Sequence, residues 1–123
     1  AMAFDGKRVI ITGAGRGLGA ALAIVLADKG ANLLLTGRSH ENLTAIAEAI
    51  KLRTGIKPEL RMLDMADASE VTLFAKALRD AGEPVDILIN NAAQWLPGSM
   101  TDHDALSISQ TIATPFTRLQ GAS

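Results

Sequence analysis

The 123-residue chain lacks two residue types outright, and each absence excludes a class of chemistry. It has no Cys, which excludes disulfides, thiolate metal sites and a cysteine nucleophile. It has no Tyr, so no reaction step can use a tyrosine proton. Its two histidines, His40 and His103, lie far apart in the sequence, so we expect no metal site. The longest apolar run, residues 20–27, is far shorter than the roughly 20 residues that a membrane-spanning helix needs.

Neither sign of charge dominates the composition. The 12 basic and 13 acidic residues give a net charge of −1, whereas nucleic-acid-binding surfaces normally show a basic excess. The first residues contain no basic stretch followed by an apolar one, so they do not resemble a secretory signal. We therefore expect a cytoplasmic protein with neither a nucleic-acid nor a membrane partner. No linker-like segment interrupts the chain, which indicates a single domain over residues 1–123.

Short apolar strands alternate with longer helical segments. Strands are predicted over residues 8–12, 32–36, 59–63 and 85–90. Helices are predicted over residues 17–29, 39–54 and 67–81, and from Thr101 to a kink or end at Pro115. This alternation predicts an α/β fold in which right-handed crossovers connect the strands of a parallel sheet.

Cap residues mark the ends of the predicted helices. Ser39 and Asp67 stand at helix starts, where their side-chain oxygens can accept from free backbone N–H groups. Glu70 follows Asp67 by three residues, which is the spacing of a capping box. Gly30 and Gly55 stand just after helix ends, where a glycine commonly terminates a helix.

A glycine-rich segment, TGAGRGLG at residues 12–19, joins the first strand to the first helix. A helix start binds phosphate through its free N–H groups and the positive end of its dipole. Gly13 permits a tight turn, Gly17 permits close approach of a pyrophosphate, and Gly19 permits close packing of helix on strand. The segment therefore predicts dinucleotide binding, with a merely flexible turn as the alternative.

The spacing of the glycines narrows the choice of motif. A nucleoside-triphosphate loop would end in Gly-Lys-Ser/Thr, which this segment lacks. The common dinucleotide spacing G-x-G-x-x-G fails because Leu18 stands where the third glycine would be. The pattern that fits is T-G-x-x-x-G-x-G, formed by Thr12, Gly13, Gly17 and Gly19, and on this motif the sequence resembles the short-chain dehydrogenase/reductase family.

Two further motifs carry the same resemblance. Asn90, Asn91 and Ala92 at the end of the fourth strand are similar to the family's Asn-Asn-Ala-Gly motif. Asp64 and Met65, just after the third strand, stand where the family places an Asp and an apolar residue against the adenine. The resemblance implies a Rossmann-like parallel sheet of strand order 3-2-1-4 with flanking helices. It also implies that the fourth strand is an edge, through which we expect self-association.

The resemblance implies a nicotinamide dinucleotide as cofactor. An NAD enzyme usually carries a carboxylate at the end of the second strand, where it would repel the extra phosphate of NADP. Here that position is Gly37, and the guanidinium of the following Arg38 can hold a phosphate. We therefore expect NADP rather than NAD, although the basic residues could also be ordinary surface charges. The implied binding set is Gly13, Gly15, Arg16, Gly17, Leu18, Gly19, Arg38, Ser39, Asp64, Met65, Asn90 and Ala92.

The family's catalytic residues have no counterpart in this sequence. Family chemistry depends on a Tyr-x-x-x-Lys pair, a Ser before it and a helical Asn, and Thr111 stands at the place of that Asn. Ala93 replaces the glycine of the Asn-Asn-Ala-Gly motif. We expect the NADP-binding portion of an oxidoreductase of carbonyl or alcohol substrates, truncated after the fourth strand and its helix, inactive alone and without catalytic residues. The alternative is a non-catalytic nucleotide-binding or oligomeric scaffold module.

Overall fold

A computed structural model describes residues 3–91, where four strands alternate with three helices. The strands are β1 (Arg8–Thr12), β2 (Asn32–Gly37), β3 (Glu59–Met62) and β4 (Ile87–Asn90). The helices are α1 (Gly17–Asp28), α2 (His40–Thr54) and α3 (Ala68–Ala81). No helix in this part of the chain has the length and apolarity to cross a membrane. The helix predicted from Thr101, with Pro115 in it, lies outside the described residues, as do Ala92, Ala93 and Thr111.

The four strands form one parallel sheet in the order β3-β2-β1-β4, which confirms the predicted topology. Ile10 in the central strand is level with Leu34 on one side and Leu88 on the other. The chain moves from β1 outward to β3 and then returns across the sheet to β4. Because such crossovers are right-handed, α1 and α2 cover one face and α3 covers the other.

Both faces of the sheet are buried, so the central strands are apolar at almost every position. One core cluster lies under α1 and α2, and its members include Val9, Ile11, Leu33, Leu35, Leu43 and Ile50. The other lies under α3, and its members include Ile10, Leu34, Met65, Val71, Phe74 and Leu88. Alternate residues of β1 and β2 contribute to opposite clusters, as the period of a strand requires.

The fourth strand begins later than predicted. Residue 85 was the predicted start, but β4 begins at Ile87 because a side chain takes part in the pairing just before it. The N–H of Arg8 donates to the carboxylate of Asp86 at 2.8 Å, while the N–H of Asp86 donates to the Arg8 carbonyl at 2.9 Å. The bounds of the other described elements differ from the prediction by no more than one residue at an end, as for β3, which ends at Met62 rather than Leu63.

Asp67 caps α3 as predicted, but the second hydrogen bond of a capping box, from the Asp67 N–H to the Glu70 carboxylate, is not formed. The Asp67 carboxylate accepts from the N–H groups of Ser69 and Glu70 at 2.9 and 3.2 Å. The Glu70 carboxylate does not reach back to Asp67; it accepts from the N–H of Asp64 at 3.4 Å. The N–H of Asp67 donates instead to the Asp64 carbonyl at 3.0 Å. The cap thereby holds the segment after β3 against the start of α3.

Gly30 ends α1 in a tight turn, as its position in the sequence predicts. It has φ +92°, and its N–H donates to the Ala27 carbonyl at 3.0 Å. The N–H of Ala31 donates to the Leu26 carbonyl at 3.1 Å, so the two bonds form a Schellman motif. A Cβ at residue 30 would overlap the carboxylate of Asp5. The positive φ therefore favours glycine here, and a larger residue would also require the Asp5 side chain to move.

Several charged side chains at the amino edge of the sheet form ion pairs. Arg8 contacts Glu59 at 3.1 Å and Glu83 at 3.2 Å. Arg53 of α2 forms an ion pair with Asp28 of α1, and its hydrogen bond holds the pKa of that carboxyl below the ordinary value. Exposed pairs of this kind contribute little stability each, but they leave these cations engaged.

Replacing Gly30 with Ala should destabilise the fold more than the same change at Gly55. Gly55 ends α2 with φ +80° but has open space around a Cβ, so G55A should cost about 1 kcal/mol of unfolding free energy. G30A adds the overlap with Asp5, and we expect a loss of at least about 2 kcal/mol. Urea denaturation of the two variants measures the difference, and equal losses would show that the Asp5 contact is unimportant.

Candidate functional site

The segments predicted to bind a ligand meet at the carboxyl edge of the parallel sheet. Residues 13–19 follow β1, residues 38–39 follow β2, residues 64–65 follow β3, and Asn90 ends β4. Ligands of open α/β sheets bind at this edge, beside the point where the strand order reverses. Here the order reverses between β1 and β4. The sequence therefore places its candidate residues where the fold offers a crevice.

Two glycines of the loop adopt backbone conformations that other residues rarely take. Gly13 has φ +63°, which confirms the tight turn predicted directly after β1. Gly17 has φ +59°, a conformational requirement that was not part of the prediction. A Cβ at residue 17 would meet no atom of the described residues within 4 Å, so the space beside its Cα is open among them. An anion can therefore approach this part of the backbone closely.

Gly19 lets α1 start directly beside the end of β1. A Cβ at this position would overlap the carbonyl oxygen of Gly13 and lie 2.6 Å from the side-chain Nδ2 of Asn91. The predicted close packing is confirmed, and the groups that demand it are a loop carbonyl and a side-chain amide. Any larger residue would push the helix start away from the sheet edge.

Within residues 3–91, the start of α1 has no side-chain acceptor for its free N–H groups. Arg16 is the N-cap residue, its side chain makes no capping hydrogen bond, and no acidic residue lies in the first turn. The other two helices are capped by the side chains of Ser39 and Asp67. Leu18, in the first turn of α1, is 66% exposed. The uncapped N–H groups and the helix dipole favour an anion at this point.

Thr12 joins the end of β1 to the end of β4. Its side chain is buried, and Oγ1 donates to Asn90 Oδ1 at 2.9 Å while accepting from the Asn91 N–H at 3.0 Å. Asn91 Nδ2 also donates to the carbonyl of Gly13 at 3.3 Å. Thr12 was part of the predicted motif but not of the predicted binding set. The sequence did contain a signal for this bridging role, because Thr12 is the one hydroxyl residue at the end of the apolar strand RVIIT.

The glycine loop is also joined to β2, which brings the basic segment beside it. The N–H of Ala14 donates to the Thr36 carbonyl at 2.9 Å, so the loop runs along the end of β2. Arg38 and Ser39 follow directly. Ser39 Oγ accepts from the N–H of Asn42 at 3.1 Å, which confirms the predicted cap. The hydroxyl proton of Ser39 is still available for donation to a ligand.

The two candidate cations are exposed and unengaged. Within residues 3–91, the guanidinium groups of Arg16 and Arg38 make no hydrogen bond or ion pair. Two arginines at the opposite edge, Arg8 and Arg53, are held by carboxylates. Neither guanidinium is therefore paired with a carboxylate of the described residues, and both are available to an anionic ligand.

The two candidate residues after β3 lie in different surroundings. Asp64 is half-buried, and its Oδ1 accepts from the N–H of Ala66 at 2.9 Å. Met65 is only 6% exposed and packs in the core cluster with Phe74. Its thioether therefore lies in the core rather than at the surface. Among the described residues, no group of three or more His, Asp or Glu side chains is placed to hold a metal ion.

Comparison with known proteins identifies the same family as the sequence motifs do. The sequence matches the family described as short chain dehydrogenase over residues 7–119. It is 36% identical over 107 residues to galactitol 2-dehydrogenase of Rhizobium johnstonii, covering 83% of this chain and 40% of that protein. It is 41% identical over 88 residues to human retinol dehydrogenase 13, covering 71% of this chain and 27% of that protein. The chain thus spans less than half the length of these relatives.

Solved structures confirm the fold. A short chain dehydrogenase from Shigella flexneri superposes with a TM-score of 0.76 at 21% identity, covering 91% of this chain and 57% of that chain. Another from Shigella flexneri, solved in complex with NADP, gives a TM-score of 0.68 at 21% identity, covering 94% and 54%. At this level of identity the likeness concerns the fold alone.

Replacing Thr12 with Val should weaken the junction between β1 and β4. Valine matches threonine in shape but removes the hydroxyl that donates to Asn90 Oδ1 and accepts from the Asn91 N–H. The Asn91 N–H keeps the Ile89 carbonyl as an acceptor at 3.1 Å, so we expect a loss of about 1–2 kcal/mol in unfolding free energy for the lost hydrogen bonds. Thr12→Ser keeps the hydroxyl and should cost no more than about 1 kcal/mol for the lost methyl group. Denaturant unfolding tests both, and a larger loss for the serine variant would contradict the assigned hydrogen bonds.

Proposed function

The chain belongs to the short chain dehydrogenase family, and on that premise we propose that it is the NADP-binding portion of an oxidoreductase. The reaction proposed for the whole enzyme is hydride transfer between the nicotinamide and a carbonyl or alcohol substrate. The observation that carries the proposal is the uncapped start of α1 behind a glycine loop, at the carboxyl edge of the sheet. The proposed location is the cytoplasm.

The pyrophosphate is proposed to lie against residues 13–19. The first-turn N–H groups of α1 lack side-chain acceptors, and the space beside Gly17 is open to a ligand. Gly13 shapes the turn, and Gly19 holds the helix start close to the sheet edge. Gly15 and the exposed Leu18 complete the loop surface. These residues fit a diphosphate because they offer N–H donors, a positive dipole end and no negative charge.

The extra phosphate of NADP is proposed to lie between Arg38 and Arg16. Arg38 follows a glycine rather than the carboxylate that would repel this phosphate, and both guanidinium groups are unengaged within the described residues. A guanidinium can donate two charge-assisted hydrogen bonds to one phosphate. The Ser39 hydroxyl adds a donor at the start of α2. The NADP complex of the Shigella flexneri protein supports this choice of cofactor.

The adenine is proposed to lie at the end of β3. Asp64 Oδ1 is engaged by the Ala66 N–H, and its second carboxylate oxygen can accept from the adenine amino group. Since the Met65 side chain is buried, we propose that the backbone of Met65, rather than its side chain, contacts the adenine ring. Asn90 and Ala92 are proposed to line the crevice beyond β4.

When bound, the cofactor would supply a hydride as NADPH or accept one as NADP⁺, and the residues of this chain would bind and orient it. The 123 residues include no Tyr, so the family's proton-transferring residue is not among them. We therefore propose that this chain holds the cofactor and does not by itself turn over a substrate. The loop N–H groups fix the pyrophosphate, and the basic segment after β2 selects the dinucleotide.

Calorimetric titration with NADP and NAD should show tighter binding of NADP. Arg38→Ala should weaken NADP binding about tenfold or more, because two charge-assisted hydrogen bonds are lost, and should leave NAD binding nearly unchanged. Arg79→Ala is the matched control, since Arg79 is an exposed arginine in the last turn of α3, at the opposite edge of the sheet. Tighter binding of NAD by the unmodified chain would overturn the cofactor assignment.

Self-association through β4 is also proposed. Among residues 3–91, β4 pairs only with β1, and its side chains Ile87 and Ile89 are apolar and half-buried. The opposite edge, β3, follows Pro58 and carries the charged residues Glu59 and Arg61. Proline and charge protect an edge against pairing with another chain, whereas an apolar edge invites it. The two edges therefore differ in their tendency to associate.

Introducing a charge on β4 should reduce association. We expect the unmodified chain to form oligomers whose fraction rises with concentration, and Ile89→Lys to shift the distribution towards monomer. Leu60→Lys makes the same change at a half-buried position of the other edge strand and should leave the distribution unchanged. Light scattering over a concentration series measures both. A chain that stays monomeric at high concentration would contradict the proposed role of β4.

A further inference from the structure

Gly37 stands where an NAD enzyme carries its carboxylate, yet its backbone does not require glycine. It lies within β2 and is not among the glycines with positive φ. The obstacle to a side chain is steric: a Cβ at residue 37 would lie 3.2 Å from Cδ2 and 3.5 Å from Cγ of Leu43. The first of these distances is shorter than an ordinary van der Waals contact. The space beside Gly37 is therefore already filled by a residue of α2.

Leu43 has little freedom to give way. It is fully buried in the core cluster under α1 and α2, where it packs with residues such as Ile11 and Leu35. Its N–H donates to the Ser39 carbonyl at 3.0 Å, which holds it in the first turn of α2. Protein interiors are close-packed, so displacing one such side chain disturbs its neighbours.

The glycine loop closes the same space from the other side. The Cβ position of Gly37 lies 3.6 Å from the backbone N of Gly15. A Cβ at Gly15 would in turn lie 3.2 Å from Asn42 Cβ and 4.0 Å from Leu43 Cδ2. The loop, the end of β2 and the first turn of α2 therefore meet at one point, with Leu43 beneath both glycines.

We infer that Leu43 is a positioning residue that determines cofactor specificity by occupying the space that a side chain at residue 37 would need. This inference rests on the proposed function, because it concerns the choice between the two dinucleotides. Leu43 is not proposed to contact the cofactor. It acts by leaving no room for a side chain at residue 37. A carboxylate at residue 37 then requires a smaller residue at position 43, and substitution at Gly37 alone damages the fold before it can alter specificity.

Thermal unfolding without ligand tests the packing part. Gly37→Asp and Leu43→Ala should each lower the Tm, and the double variant should lose clearly less than the two losses combined, because the smaller side chain at position 43 makes room. If Gly37→Asp does not fold, Gly37→Ala takes its place. The Tm losses of Gly37→Ala, of Leu43→Ala and of their double variant are then compared in the same way. Ile50→Ala is the control: it truncates another residue of α2 in the same core, and its combination with either Gly37 variant should be additive. Additive losses with Leu43→Ala would overturn the inference.

Binding measurements test the specificity part. Relative to Leu43→Ala, the double variant Gly37→Asp/Leu43→Ala should raise the ratio of NAD affinity to NADP affinity at least about tenfold, because the new carboxylate repels the extra phosphate. An unchanged ratio in a folded double variant would overturn this part. If the unmodified chain binds neither dinucleotide, the proposed function fails and the specificity part fails with it. The unfolding data still decide the packing part in that case.

Discussion

The close approach of α1 to the end of β1 is the constraint on which the site depends. At Gly19 the helix start lies against the Gly13 carbonyl and the Asn91 side chain, with no room for a Cβ. This contact directs the uncapped N–H groups of the first turn towards the carboxyl edge of the sheet. Gly13 and Gly17 turn the chain sharply enough to permit it, with φ of +63° and +59°. Phosphate binding at a helix start requires this arrangement of backbone, whichever side chains surround it.

Hydrogen bonds to two neighbouring strands keep the loop in place. Thr12 and Asn91 connect it to β4, and the bond from Ala14 to Thr36 connects it to β2. The charged side chains next to the loop differ from some at the amino edge. Arg53 at the amino edge forms an ion pair with Asp28, whereas Arg38 at the carboxyl edge is unengaged within the described residues. The fold thus places an unpaired arginine beside a backbone loop that is held by hydrogen bonds.

The elements, their order and the sheet edge shared by the candidate residues could be predicted because they depend on local patterns. Apolar runs indicate the strands, and glycines followed by a helix indicate a turn at the sheet edge. The predicted start of β4 was wrong because a side chain, Asp86, replaces a backbone group in its pairing with Arg8. The contact of Leu43 with Gly37 depends on how α2 packs on the sheet, which no local pattern reports. Burial of the Met65 side chain likewise depends on where α3 lies over the segment after β3.

The most direct test is an NMR titration of the isotopically labelled chain with NADP, following the backbone amides. We predict saturable shifts of the amides of residues 13–19 and of Arg38 and Ser39, because the phosphates lie against these N–H groups and the adjacent charges. Amides around the ion pair of Asp28 and Arg53 should remain unchanged, since they lie at the opposite edge. Unshifted loop amides at saturating NADP, or shifts confined to the amino edge, would contradict the account.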